Sequence, residues 1–228
     1  MQVSHLILKY AACYCTFFIA ALAAKYNKGY RLFDATGPAK NIAVLQILQI
    51  AGILLLGIAP LYIFNDACIE TIFGEKLPEA LPVIVLMLFT VIIFWFSLLQ
   101  SNRLYRKILH NRVAIKKPAG FSLLPYFLLR AAFLICYEIF FRGYLLHDSV
   151  HYVGTTNAIL INIFLYTLLH LPGGKREMIG CIPFGYLLCV LCLWFQSALP
   201  AILLHLTLSM AYEINLAFRF QKPLNLFI

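Results

Sequence analysis

Long runs of apolar residues, separated by short polar segments, extend along the whole chain. Runs of about 18 or more apolar residues are typical of membrane-spanning helices, because backbone polar groups in lipid must be satisfied within the segment itself. The pattern predicts about seven such helices. Their expected ranges are Leu6–Ala24, Ile42–Phe64, Leu81–Gln100, Phe121–His151, Thr155–Leu171, Met178–Gln196 and Ala198–Phe218. We therefore expect an all-α fold, a polytopic bundle of transmembrane helices.

The composition and charge distribution support this expectation. Of 228 residues, 63% are hydrophobic and 12% are charged, which excludes an ordinary soluble domain. The net charge of +9 comes from basic residues spread over alternate loops, a pattern that sets membrane orientation and does not indicate nucleic-acid binding. We expect an integral, multi-pass protein of a bacterial cytoplasmic membrane, with its N-terminus outside and its C-terminus inside.

Few ionisable residues lie within the apolar runs, and they are concentrated in the C-terminal half. They are Lys9, Arg130, Glu138, Arg142, His170, His205 and Glu213. Ionisable residues inside a membrane are costly, so they usually face the bundle interior and mark a functional site. We therefore expect residues 1–120 to be N-terminal helices that act as scaffold, with 1–100 available to a membrane-protein partner, and residues 121–218 to be the functional core.

This core contains three pairs of polar residues, and the members of each pair are four residues apart. Glu138 and Arg142 are four residues apart, within reach of an ion pair that could simply neutralise both charges. Tyr166 lies one turn before His170, and Ser209 one turn after His205. Glu138 and His170 are each 16 residues from Gly154, so a turn there would place them at the same depth.

One carboxylate and two imidazoles admit more than one chemistry. They could activate a water and polarise a carbonyl, as peptide hydrolysis requires. Glu138, His170 and His205 could also form a catalytic zinc site. A channel or transporter could use the same buried charges as an ion path, although the sequence shows no inverted repeat.

The three motifs together resemble the CPBP family (CAAX-processing and bacteriocin-processing, or Abi) of intramembrane proteases. That family carries EExxxRG, then FxxxH about 28 residues after the arginine, then HxxxN, in membrane helices. This chain has "YEIFFRG" from Tyr137, "YTLLH" ending at His170, and "HLTLS" from His205 to Ser209, with 28 residues from Arg142 to His170. The likeness covers about residues 121–218, as a divergent member.

The resemblance implies roles for these positions. In the family the first glutamate activates water with the first histidine, while the second histidine and the asparagine hold the oxyanion. Here Tyr137 occupies the position of that glutamate and Ser209 that of the asparagine. A tyrosine phenol keeps its proton at neutral pH and is therefore a poor base.

Two functions follow from the resemblance. In the first, Glu138 is the base, His170 is its partner, His205 and Ser209 are oxyanion donors, and Arg142, Tyr137 and Tyr166 support them. The protein is then an endopeptidase that needs no metal or other cofactor and cleaves a membrane-associated or lipid-modified peptide or membrane protein. In the second, it is an inactive pseudoprotease that acts as a membrane scaffold, peptide-binding or immunity protein.

Overall fold

The fold is known from a computed structural model that describes residues 2–34, 37–63, 72–74, 79–111 and 123–221. These residues are almost entirely helical. In chain order the helices are α1 (Gln2–Tyr26), α2 (Ile42–Gly52), α3 (Ala59–Ile63), α4 (Ala80–His110), α5 (Leu123–Glu138), α6 (Leu146–Val153), α7 (Thr155–Leu169), α8 (Lys175–Phe195) and α9 (Leu199–Gln221). A short antiparallel pair, β1 (Phe33–Asp34) and β2 (Gly37–Pro38), lies between α1 and α2. The predicted all-α helix bundle is confirmed.

Two of the long helices contain π-helical turns. The segment Ile53–Ile58 joins α2 to α3, and Ile139–Leu145 joins α5 to α6, so that each makes one continuous helix. π-helical turns insert an extra residue into a helix and occur often at functional sites. The second segment follows Glu138 directly and contains Arg142.

Six helices among the described residues are long and apolar enough to cross a membrane. They are Ile7–Tyr26, Ile42–Ile63, Ala80–His110, Leu123–Val153, Lys175–Phe195 and Leu199–Phe220. These correspond to six of the expected spans, although the expected end of the second, Phe64, and the expected start of the fourth, Phe121, fall outside the described residues. The third span extends ten residues beyond its expected end at Gln100, to His110.

The remaining expected span is the apolar helix α7, which is only 15 residues long. At about 1.5 Å per residue it is about 22 Å long, shorter than a hydrocarbon core of about 30 Å. Gly154 and Gly174, with φ of 79° and 95°, flank α7 and its following turn at Leu171–Gly173. Both conformations favour glycine, so the chain reverses direction sharply at each end.

Contacts between loops show which segments share an end of the bundle. The Arg31 side chain, after α1, donates a hydrogen bond of 2.7 Å to the Gly173 carbonyl and pairs with Glu177 at the start of α8. At the other end, the Ser197 hydroxyl donates to the Ile72 carbonyl at 2.7 Å. The basic segment after α1 and the turn after α7 therefore lie together, as the alternating loop charges predict.

Helix α1 packs against the core helices through aromatic rings. Tyr14 donates a hydrogen bond of 2.9 Å to the Leu165 carbonyl, and its ring meets Phe141 edge to face. Tyr10 donates to Asp148 at 2.6 Å and contacts Phe140. By contrast, α4 exposes Trp95, Phe94 and other large apolar side chains, as a lipid-facing surface does. Burial of α1 thus fixes one wall of the region that contains Glu138.

Candidate active site

An ion pair is buried where α5 passes into its π-helical turn. The Nη1 atom of Arg142 lies 2.9 Å from Oε2 of Glu138, and neither side chain is exposed. The Arg142 guanidinium also lies over the Tyr166 ring, 4.2 Å from its centroid, which is a cation–π contact. The pair expected from the sequence is present, and it is fixed against α7.

His205 completes a chain of three charged or polar groups. Its Nδ1 atom lies 2.5 Å from Oε1 of Glu138, and its side chain is 8% exposed. The Glu138 carboxylate accepts this hydrogen bond, so Nδ1 carries the proton and Nε2 is left to act as an acceptor. Glu138 is hydrogen-bonded to His205, whereas the depth argument from the sequence paired it with His170.

His170 is oriented by the backbone of its own helix. It follows α7, and its Nδ1 atom lies 2.8 Å from the Tyr166 carbonyl oxygen. A carbonyl can only accept, so Nδ1 carries the proton and Nε2 keeps its lone pair. The Nε2 atom lies 4.0 Å from Oε1 of Glu177, and the His170 side chain is 15% exposed.

Tyr137 lies between the two histidines. The centroid of its ring is 6.2 Å from that of His170 and 5.7 Å from that of His205, edge to face in both cases. The residue is buried, and its hydroxyl has no hydrogen-bond partner among the described residues. The structure therefore brings Glu138, His170 and His205 around the side chain that replaces the first glutamate of the motif.

The polar residues of α9 lie in two separate clusters, one near His205 and one around Glu213. Ser209, one turn after His205, is half-buried. Glu213 instead accepts a hydrogen bond of 2.8 Å from Tyr126 and pairs with Arg130, whose Nε lies 3.3 Å from Oε1. This second cluster connects α9 to the first half of α5, two turns before Glu138.

The zinc alternative can be compared with the arrangement of the possible ligands. Both oxygens of Glu138 already face cationic or N–H groups, Arg142 on one side and His205 on the other. Among the residues that the structure describes, no three His, Cys, Asp or Glu side chains are grouped as metal ligands.

Two residues of the site had no assigned role in the sequence analysis. Glu177, seven residues after His170 and across the Pro172–Gly174 turn, contacts both His170 and Arg31. Asn162, two turns before His170, is fully buried and donates a hydrogen bond of 2.7 Å to the Phe141 carbonyl in the π-helical segment. The signal in the sequence that could have indicated Glu177 is an acidic residue in the first turn of the helix that follows a motif histidine.

Comparison with known families agrees with the motif pattern. Residues 118–211 match the Rce1-like family, described as Type II CAAX prenyl endopeptidase Rce1-like. The matched segment contains the Glu138, His170 and His205 motifs, and it covers less than half of the chain. It is consistent with a member of the CPBP family, and the resemblance is confirmed over this region. No curated protein and no solved structure matches the chain.

Proposed function

We propose that the protein is an intramembrane endopeptidase of the CPBP type, which cleaves a membrane-associated or lipid-modified peptide. The observation that carries this proposal is the convergence of the chain Arg142–Glu138–His205 with His170 around Tyr137. Buried ionisable groups in a membrane bundle are expensive, and a packed apolar core would stabilise the bundle without them. A catalytic role explains their presence.

The two imidazoles suit separate tasks in hydrolysis. His170 presents the lone pair of Nε2, which can hold a water as a hydrogen-bond acceptor. His205, next to the Glu138 carboxylate, can take up a second proton and then donate from Nε2 to a developing oxyanion, assisted by the Ser209 hydroxyl. The Glu138 carboxylate, paired with Arg142, would stabilise this doubly protonated form of His205.

We propose that this hydrolysis needs no metal, because the Glu138 oxygens are already paired with Arg142 and His205. A chelator should therefore leave cleavage unchanged. Loss of activity with chelator, restored by zinc alone, would instead support the zinc set of Glu138, His170 and His205.

The test uses purified protein in proteoliposomes with a fluorogenic prenylated CAAX peptide, chosen because the matched family is a CAAX prenyl endopeptidase family. We expect cleavage by the wild-type protein and its loss in Glu138→Ala, His170→Ala and His205→Ala. The matched control is His151→Ala, which removes an exposed imidazole at the far end of α6. Full cleavage by the His170→Ala and His205→Ala variants would contradict the proposal.

A second candidate function is an inactive pseudoprotease that binds a peptide or partner in the membrane. It is favoured by Tyr137 in the place of the first glutamate and by the full pairing of Glu138. The variant Tyr137→Glu restores the missing carboxylate between the histidines. Cleavage by this variant alone would establish the pseudoprotease, whereas cleavage by the wild-type protein would exclude it.

A further inference from the structure

We propose that Glu177 supplies the carboxylate base that the first motif lacks, because Tyr137 stands in place of its first glutamate. This role rests on the proposed endopeptidase function. Glu177 lies in the first turn of α8, outside the three motifs that carry the resemblance. Its Oε1 atom is 4.0 Å from Nε2 of His170, the nitrogen that retains its lone pair. The site therefore contains a second carboxylate beside its more accessible imidazole.

The separation between Glu177 and His170 suits a shared water. At 4.0 Å the two atoms are too far apart for a direct hydrogen bond but close enough for one water to bind both. The side chains are 32% and 15% exposed, so water can reach them. Such a water would donate one hydrogen to each acceptor, and both acceptors are held in place by other contacts.

Glu138 is less suited to that task. Its side chain has no exposed surface, and its two oxygens are paired with Arg142 and His205. To act as base it would have to break one of these contacts in a buried environment, which would leave a charge or an N–H unpaired. Glu138 is therefore a positioning residue for His205, and the base is elsewhere.

Two neighbours hold the Glu177 carboxylate toward His170. Arg31 pairs with Glu177 and also donates to the Gly173 carbonyl at 2.7 Å, which ties the segment after α1 to the turn before α8. A Cβ atom at Gly173 would collide with both the Arg31 guanidinium and the Glu177 carboxylate. The absence of a side chain at position 173 thus leaves room for the ion pair beside His170.

The chemical step is balanced without a co-reactant. The water transfers one proton to Glu177 while its oxygen bonds to the scissile carbonyl carbon, and the carbonyl electrons move to its oxygen. The tetrahedral intermediate then collapses: the C=O bond re-forms, the C–N bond breaks, and the leaving nitrogen takes the proton from Glu177. The products are a carboxylic acid and an amine, and the Glu177 carboxylate is restored.

The first experiment measures kcat with the prenylated CAAX peptide in proteoliposomes. We expect Glu177→Gln to lower kcat by at least about 100-fold, the usual contribution of a general base. The matched control, Glu79→Gln, neutralises an exposed carboxylate before α4 and should not change kcat. In the double variant Glu177→Gln with Tyr137→Glu, a carboxylate is restored at position 137, whose ring neighbours His170, and cleavage should recover.

A second variant moves Glu177 without removing it. Gly173→Ala displaces the flexible ends of Arg31 and Glu177, so kcat should fall while the thermal unfolding midpoint stays near that of the wild type. Gly180→Ala is the control, because Gly180 lies on α8, as Glu177 does, and a Cβ there meets no atom within 4 Å beyond the backbone of its own helix.

The outcomes separate this role from the proposed function. Wild-type cleavage that persists at full rate in Glu177→Gln overturns the role of Glu177 and leaves the endopeptidase intact. Cleavage by Tyr137→Glu alone shows a pseudoprotease and overturns both. An intact peptide with the wild-type protein and with every variant likewise overturns the endopeptidase and, with it, the role of Glu177.

Discussion

The Nδ1 atom of His205 lies 2.5 Å from Oε1 of Glu138, which joins α9 to α5 across 67 residues of sequence. The same carboxylate pairs with Arg142 through its other oxygen. One buried carboxylate thus contacts two partners on different sides, the Arg142 guanidinium and the His205 imidazole, so a change in any of the three side chains should affect the other two.

Replacing the carboxylate of Glu138 should destabilise the bundle. Glu138→Gln keeps the shape but leaves the fully buried Arg142 charge without its partner, and we expect a loss of about 3–5 kcal/mol in the free energy of unfolding. Denaturant unfolding in detergent micelles measures it. The double variant Glu138→Gln with Arg142→Met should recover most of the loss, and equal destabilisation in both variants would contradict the explanation.

The hydrogen bond from Asn162 to the Phe141 carbonyl should hold the π-helical turn that carries Arg142. We expect Asn162→Leu to cost about 1–3 kcal/mol of stability, because a buried carbonyl loses its side-chain donor. It should also slow cleavage by shifting Arg142. The control is Asn157→Leu on the same helix, at an exposed position. Unchanged stability and activity in Asn162→Leu would show that the turn keeps its geometry without this bond.

The cluster of Tyr126, Arg130 and Glu213 should contribute stability and leave catalysis unaffected. Tyr126→Phe removes a hydrogen bond of 2.8 Å to a carboxylate. Hydrogen bonds to a charged group contribute about 1.5–3 kcal/mol to the free energy of unfolding. The unfolding midpoint should fall, while kcat of the remaining folded protein stays the same. Tyr152→Phe, at a position that is 49% exposed, is the control. A fall in kcat without destabilisation would place this cluster in the catalytic machinery.

The orientation of the protein is open to direct measurement. We expect the loop after α1 and the turn after α7 to face the cytoplasm, because their end of the bundle carries the basic residues. In a variant without native cysteines, a cysteine at Lys28 or Lys175 should react with an impermeant thiol reagent from the cytoplasmic side only. A cysteine at His151 should react from the opposite side only. Labelling of positions 28 and 175 from different sides would contradict the shared end of the bundle.

Most of the fold could be predicted from the sequence because a lipid environment leaves few options. Apolar runs must form helices, and their lengths and the glycines between them set where each helix ends. The sequence predicts that α7 ends at Leu171. In the structure α7 ends at Leu169 and is about 8 Å shorter than a hydrocarbon core of about 30 Å.

The sequence by itself determined the helical bundle, the motif residues Glu138, Arg142, His170 and His205, and the occurrence of Tyr137 at the position of the family's first glutamate. Those features depend on local spacing, which a linear pattern contains. Only the tertiary structure decided that Glu138 contacts His205 and that Glu177 lies beside His170 with Arg31. Such contacts depend on the rotation and depth of one helix against another, which are set by packing over the whole bundle.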